Sequence, residues 1–283
     1  MTELAADIQR NVSAALVEDI GSGDLTAALI PQSHRAQAKL ICRTGAILCG
    51  SAWFEACFRR LDPDVRITWN AYDGAKLDPN QLLCRIDGNA RAVLTAERPA
   101  LNFLQTLSAT ATATRRYVDA VRGTQAKIMD TRKTLPGLRA AQKYAVKIGG
   151  GENQRIGLYD GVLIKENHIA LTSGVAAALS QARATADGVR VQIEVETMVQ
   201  LEEALCAGAT LVLLDNFSLD NLRAAVRVNQ GRAELEASGG ITIANVREVA
   251  ETGVDRISVG SLTKDIAAVD LSLLVEMKGS GSP

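Results

Sequence analysis

Lys165, Glu194, Asp215, Ser238 and Gly260 stand at the ends of five strand-like runs: Lys165 closes GVLIK, Glu194 with Glu196 closes VQIEVE, Asp215 closes LVLLD, Ser238 precedes a Gly-Gly pair after AELEA, and Gly260 closes RISVG. Parallel strands buried on both faces are expected to stay apolar along their length, so an ionisable residue ending such a run needs a reason. The steps between the five are 29, 21, 23 and 22 residues, each about one strand–helix unit. That spacing gathers them on one rim, and the earlier run KIMDT delivers Arg132 and Lys133 to the same place. A rim of this make-up suits an anionic ligand, with cations meeting carboxylate or phosphate and carboxylates meeting sugar hydroxyls or a divalent metal.

Three further features sharpen the ligand chemistry. The stretches ASGGIT and VGSLT pair small residues with expected helix starts, where free amides and the positive end of the helix dipole hold a phosphate. Glu194 and Asp215, with lysines nearby, fit Mg²⁺ bound partly through water and shared with a pyrophosphate. The segment GGGENQR lets backbone approach a ligand closely and then supplies Arg155, whose forked guanidinium matches a carboxylate. Arg132 and Arg155 in one pocket point to a small dicarboxylate. Each residue also has a plainer reading. A lone strand-end acid commonly caps a helix, and for Asp215 by itself the two readings weigh equally. Glu196 shares strand parity with Glu194, so one of the two can serve an ion pair; Glu194 is favoured as the functional one.

The elements that must position these residues form two patterns. From Ala38 to Gly88 the chain reads as α+β: AKLICRT, GAILCG, VRITWNA and QLLCRID as strands, SAWFEACFRRL as a helix, with DPD, YDG and DPN as turns. A long helical pattern, RAVLTAERPALNFLQTLSATATATRRYVDAV, follows and is expected to bend or break near Pro99. After Lys127, six β-branched runs alternate with amphipathic segments, which implies a parallel sheet wrapped into a closed or nearly closed barrel. The expected division is 1–122 for the N-terminal domain with its bridging helices and 123–283 for the barrel, with a C-terminal helix packing back on the first domain. The tail GSGSP is expected to be a mobile end.

Composition narrows the function classes. The 283 residues are 47% hydrophobic, with 31 basic against 32 acidic side chains. That balance offers no field to draw nucleic acid or an anionic membrane, so anion binding must be local. Five cysteines fit no zinc or redox spacing and read as reduced thiols. The first twenty residues lack the pattern of a signal peptide, and no apolar stretch is long enough to span a membrane, so a cytoplasmic location is expected.

DTRKTLPGLRAAQKYAV, GGGENQRIGLYDGVLIKENH, IEVE, LLDNF, EASGGIT and VGSLT, together with EDIGSGDLTAALIP and LTAERPALNFLQTLSATAT, resemble quinolinate phosphoribosyltransferase across almost the whole chain. The resemblance implies an incomplete parallel α/β barrel with an N-terminal α+β sandwich domain. It also implies a homodimer in which each sandwich domain caps the partner's barrel. Quinolinate then falls to Arg132, Arg155 and Lys165, with Arg98 donated across the interface. Phosphoribosyl pyrophosphate and Mg²⁺ fall to Lys133, Lys165, Glu194, Asp215, Ser238 and Gly260, of which Lys133, Glu194 and Asp215 are the expected catalytic groups and Glu194 and Asp215 the metal ligands. One departure stands out: the family motif usually reads Asn-His-Arg, whereas this chain has Asn153-Gln154-Arg155, so Gln154 keeps hydrogen bonding but not an imidazolium charge. Lys264 lies next to the second small-residue loop, where solvation is the plainer account. The competing readings are a pyrophosphorylase for another heterocyclic acid, a Schiff-base barrel lyase using Lys165, and a ligand sensor without activity.

Overall fold

The computed structural model describes residues 3–186 and 188–276. The GSGSP tail lies outside the described residues.

In chain order the first half comprises α1 (Glu3–Ile20), β1 (Arg35–Cys42), β2 (Ala46–Ile47), α2 (Ser51–Leu61), β3 (Arg66–Trp69), β4 (Lys76–Leu77), β5 (Gln81–Asn89) and α3 (Ala90–Ala120). Then follow β6 (Lys127–Met129), α4 (Arg139–Gly149), β7 (Val162–Ile164), α5 (Glu166–Leu171), α6 (Val175–Thr185), β8 (Val191–Val195) and α7 (Met198–Cys206). The chain continues through β9 (Leu211–Asp215), α8 (Leu219–Asn229), β10 (Glu234–Ser238), α9 (Val246–Ala250), β11 (Arg256–Ser258), α10 (Ser261–Lys264) and β12 (Leu271–Glu276).

Two compact units result. One holds the described residues of Met1–Ala113, Leu135–Gly149 and Asp265–Pro283; the other is Thr114–Thr134 with Gly150–Lys264. The expected cut after residue 122 is therefore replaced by a more interleaved division. Its causes are specific. The α3 helix runs through the boundary without a break, the α4 segment joins the first unit, where Asn11 Nδ2 donates to Gly137 O at 3.0 Å, and β12 pairs with β1 from Gln37–Glu276 to Cys42–Leu271. The expected C-terminal helix is thus a strand: Leu271 and Leu273, two apart, are the residues it buries.

In the first unit an antiparallel sheet of order β12-β1-β5-β3 packs over a core that includes Trp53, Phe54 and Phe58 of α2 and Leu40 and Ile86 of the sheet. Phe54 sits 4.9 Å from Phe58 and 5.4 Å from Trp69 between ring centroids, the tilted geometries that aromatic pairs prefer. Pro99 does not break α3 as expected. The lost amide costs up to about 3 kcal/mol in a helix interior, but Ala96, Ala100, Leu104 and Leu107 on the same helix are fully buried and hold it in place.

In the second unit six parallel strands follow the order β6-β11-β10-β9-β8-β7. The first strand in sequence pairs with the last, as in a barrel, but β6 and β7 do not pair. A single parallel bridge, Met129 to Glu152, is what remains at that position. The barrel is therefore incomplete, open where the connection from β6 to β7 leaves for the other unit as α4. All six runs read as strands from the sequence are present, and their carboxyl ends share one side of the sheet, as parallel order requires.

Candidate active site

The strand ends of the second unit enclose a cavity of about 350 Å³ lined by Arg132, Lys133, Arg155, Lys165, Glu194, Asp215 and Ser238, with Thr131, Gln154, Leu163, Leu213 and Ser258 completing the wall. A larger hollow between α1 and α2 has Glu55, Arg59 and Arg60 as the charged side chains of its lining. Gly260 reaches the site through Lys133, since a Cβ at Gly260 would lie 3.3 Å from Lys133 Cδ. The lysine stem packs against bare backbone. Arg98 stands exposed on α3 within the first unit.

Strand pairing sets the depth of each group. Ile164 of β7 lies level with Ile193 of β8, so the next residues, Lys165 and Glu194, meet side by side. Lys165 Nζ donates to both Glu194 oxygens, at 3.1 and 3.0 Å. Glu194 is 9% exposed and belongs to β8, whereas Glu196 lies beyond the strand end and is exposed. Of the two, Glu194 lines the cavity. Asp215 ends β9 opposite Ser238 of β10.

The turn after Asp215 is built to hold that acid. Asn216 adopts a left-handed conformation (φ 57°), its backbone N–H donates to Ser238 O at 2.9 Å, and its side-chain Nδ2 donates to Asp215 Oδ2 at 2.8 Å. Gly239 makes room for it: at φ +95° a Cβ would stand 2.9 Å from the Asn216 amide nitrogen and collide with its carboxamide. Gly239→Ala is expected to cost about 1–3 kcal/mol of stability through this strain. Equilibrium denaturation checks it, and a change within about 0.5 kcal/mol, the range of indifferent surface substitutions, would contradict it.

The first arm of the rim is pinned at its base. Thr263 Oγ1 donates to Lys133 O at 2.7 Å, and Lys133 N donates to Thr131 Oγ1 at 3.1 Å. Asp130, fully buried at the exit of β6, accepts from Gln154 N at 2.8 Å and so holds the ENQR segment beside the first strand. Arg155 then curls over: Nη1 donates to Gly161 O at 2.9 Å, while Asp160 accepts from the amides of Ile156 and Gly157 at 2.8 Å each. Burial and the neighbouring Arg132 push the Arg155 guanidinium below its ordinary value, with Asp160 opposing. Two guanidiniums held close enough to repel are a pair that a dianion relieves.

Below this rim lies a group of buried polar side chains that strand ends alone do not reveal. Glu236, within β10, is wholly buried and accepts from Gln154 Nε2, from Gln192 Nε2 at 3.1 Å and from Ser258 Oγ. Gln154, set aside on sequence grounds, therefore belongs to the cavity wall. The signal for Glu236 is present in AELEAS, an acid inside a strand of a doubly covered sheet.

The cavity thus brings four cations and two carboxylates together, and the chain as a whole is similar to known proteins. Residues 24–108 match the family described as quinolinate phosphoribosyl transferase, N-terminal domain, and residues 110–274 match its C-terminal domain. The chain belongs to the quinolinate phosphoribosyl transferase family. A nicotinate-nucleotide pyrophosphorylase (carboxylating) from Mycobacterium leprae is 41% identical over 272 residues, covering 93% of this chain and 95% of that protein. A quinolinate phosphoribosyltransferase (decarboxylating) from Nicotiana tabacum is 37% identical over 291 residues, covering 95% and 82%. Among solved structures, the nicotinate-nucleotide pyrophosphorylase from Francisella tularensis superposes with a TM-score of 0.93 at 44% identity, covering 96% of each chain. Membership of the quinolinate phosphoribosyl transferase family thus extends over both units.

Proposed function

We propose that this chain transfers the phosphoribosyl group of phosphoribosyl pyrophosphate to quinolinate with loss of CO₂, giving nicotinate mononucleotide and pyrophosphate in de novo NAD biosynthesis. The observation that carries the reading is the meeting of Arg132, Lys133, Arg155 and Lys165 with Glu194 and Asp215 on one cavity, in a chain 37–41% identical to relatives bearing these enzyme names.

Arg132 and Arg155 take the two carboxylates of the pyridine acid and aim its ring nitrogen at C1 of the ribose. As the bond from C1 to pyrophosphate breaks, positive charge builds on the ribose and negative charge on the leaving group. Lys133 and Lys165 face the leaving group, and Glu194 and Asp215 favour the ribosyl cation or hold its hydroxyls. Attachment makes the ring nitrogen cationic; that charge stabilises the electron pair left on the adjacent ring carbon when its carboxylate leaves as CO₂, and this carbon then takes a proton from solvent to give the mononucleotide. No covalent enzyme intermediate is needed.

Mg²⁺ fits this donor set. Among the described residues no cluster of three or more His, Cys, Asp or Glu is present, but Mg²⁺ is commonly held by one or two carboxylates plus substrate phosphates. Glu194 and Asp215 would hold it, and it would supply neutralisation of the pyrophosphate charge. The small-residue loops at Ser238 to Thr242 and Gly260 to Thr263 would receive the 5′-phosphate.

The assembly we infer is a homodimer in which Arg98 serves the partner's barrel. Mixing Arg98→Ala chains with Lys133→Ala chains is expected to restore measurable turnover, because each heterodimer then holds one intact composite site. Verified heterodimers without activity would place Arg98 in its own chain's site. A cytoplasmic location rests on the thiols: Cys42, Cys49, Cys57 and Cys84 are buried and unpaired, burial pushing the Cys57 thiol up to about 12. Among the described residues no helix is long and apolar enough to cross a membrane.

Product analysis with quinolinate, nicotinate and other heterocyclic acids tests the substrate. Nicotinate mononucleotide formed from quinolinate alone supports the reading; preference for another acid overturns it.

A further inference from the structure

We infer that Glu236 is a positioning residue for the diacid subsite, setting from beneath the cavity the direction in which the Gln154 carboxamide faces the bound aromatic acid. The inference rests on the assignment of that subsite to quinolinate.

Strand alternation places Glu236 on the same face of β10 as the rim residue Ser238, one step nearer the strand start; Gln192 stands in the same relation to Glu194 on β8. These deeper residues are nearly sealed from solvent, Gln192 at 4% and Glu236 at 0% exposure. An acid there is costly, and an apolar side chain of similar volume would often be neutral or stabilising, so a second duty is worth seeking. The surroundings supply one. Three donors converge on the acid: Gln154 and Gln192 turn their nitrogens, and Ser258 its hydroxyl, towards the Glu236 carboxyl, which leaves the Gln154 carboxamide oxygen directed away from it.

Gln154 and Ser258 also line the cavity. The orientation imposed from below is therefore the orientation the substrate meets. Gln154 follows Asn153 and precedes Arg155, and its own amide is fixed by Asp130, so backbone and side chain are anchored independently. An amide can present either its oxygen or its nitrogen to a ligand, and the bond to Glu236 favours one of these two orientations at Gln154. Burial holds the Glu236 carboxyl above its ordinary value even though the donors Ser258, Gln192 and Gln154 and the charge of Arg256 pull it down.

The test uses the full-length chain, reading quinolinate affinity by calorimetric titration and both Michaelis constants by steady-state kinetics. Glu236→Gln keeps shape and volume but can donate, which removes the bias that Glu236 places on the Gln154 amide. It is expected to weaken quinolinate binding and raise its KM at least tenfold, with the KM for phosphoribosyl pyrophosphate within twofold and thermal stability preserved. In a Gln154→Ala background the same change is expected to add less than twofold, because its effect passes through Gln154. A purely structural carboxyl would disturb both substrates alike and add fully to Gln154→Ala, and either result overturns the inference. If Glu236→Gln does not fold, Ser258→Ala removes one of the three donors and is expected to shift quinolinate affinity alone; equal shifts for both substrates count against it. A parent chain that binds quinolinate without turnover contradicts the enzymatic reading while the affinity ratio still judges Glu236. A parent chain that does neither overturns both.

Discussion

Arg155→Ala is expected to lower kcat/KM for quinolinate by roughly 30- to 1,000-fold, equivalent to about 2–4 kcal/mol of transition-state stabilisation. The size follows from what the arginine does. Its guanidinium is already fixed by the Gly161 carbonyl and sits near Arg132, whose charge, with burial, pushes it below the ordinary arginine value. That mutual repulsion is released when a dicarboxylate enters. Removing one arginine leaves a substrate carboxylate in the cavity without its forked partner. Arg132→Ala is expected to behave alike. Kinetics with quinolinate varied at saturating sugar donor check both, and near-normal kcat/KM in either variant would remove that residue from the diacid subsite.

The second large effect is expected at Lys165. Lys165→Met should reduce kcat at least about 100-fold, the range seen when one preorganised charge on a reaction's developing charge is lost. Two consequences combine here. On the proposed reading the cavity loses a cation facing the leaving group, and Glu194, whose side chain is 10% exposed, loses the ion pair that fixes it at 3.0 Å. Lys165→Arg is expected to recover little, because a planar fork cannot replace a point charge at the same depth. Retention of more than about a tenth of the activity in Lys165→Met would contradict the assignment. The same ion pair bears on the barrel-lyase alternative: the Lys165 nitrogen is engaged by both Glu194 oxygens rather than left open to a carbonyl carbon. Borohydride with a carbonyl substrate is accordingly expected to trap nothing on Lys165.

How much of this was written in the sequence depends on the kind of signal. The six strand runs and the rim of Lys165, Glu194, Asp215 and Ser238 were legible because a polar residue ending an apolar run, repeated at the length of one strand–helix unit, is what parallel strands opening onto a shared site require. The incomplete barrel came from the family resemblance, since nothing in RAAQKYAVKIG by itself says that α4 belongs to the other unit rather than covering the sheet. The β12 strand was not legible because LSLLVE is short and apolar, and only its pairing with β1 decides between helix and strand. Continuity of α3 through Pro99 was a matter of tertiary burial overriding a local penalty. Glu236 lies inside a strand rather than at its end, and its significance comes from Gln154, Gln192 and Ser258, which are distant in sequence and meet only in the barrel.

The central claim is that one cavity joins an aromatic diacid to a sugar donor and that decarboxylation follows from that union. Quinolinate labelled in the 2-carboxyl group, incubated with the protein, phosphoribosyl pyrophosphate and Mg²⁺, puts it to the test. Labelled CO₂ should appear in step with nicotinate mononucleotide and only when sugar donor and Mg²⁺ are both present; no release, or release that persists without the donor, would contradict the account.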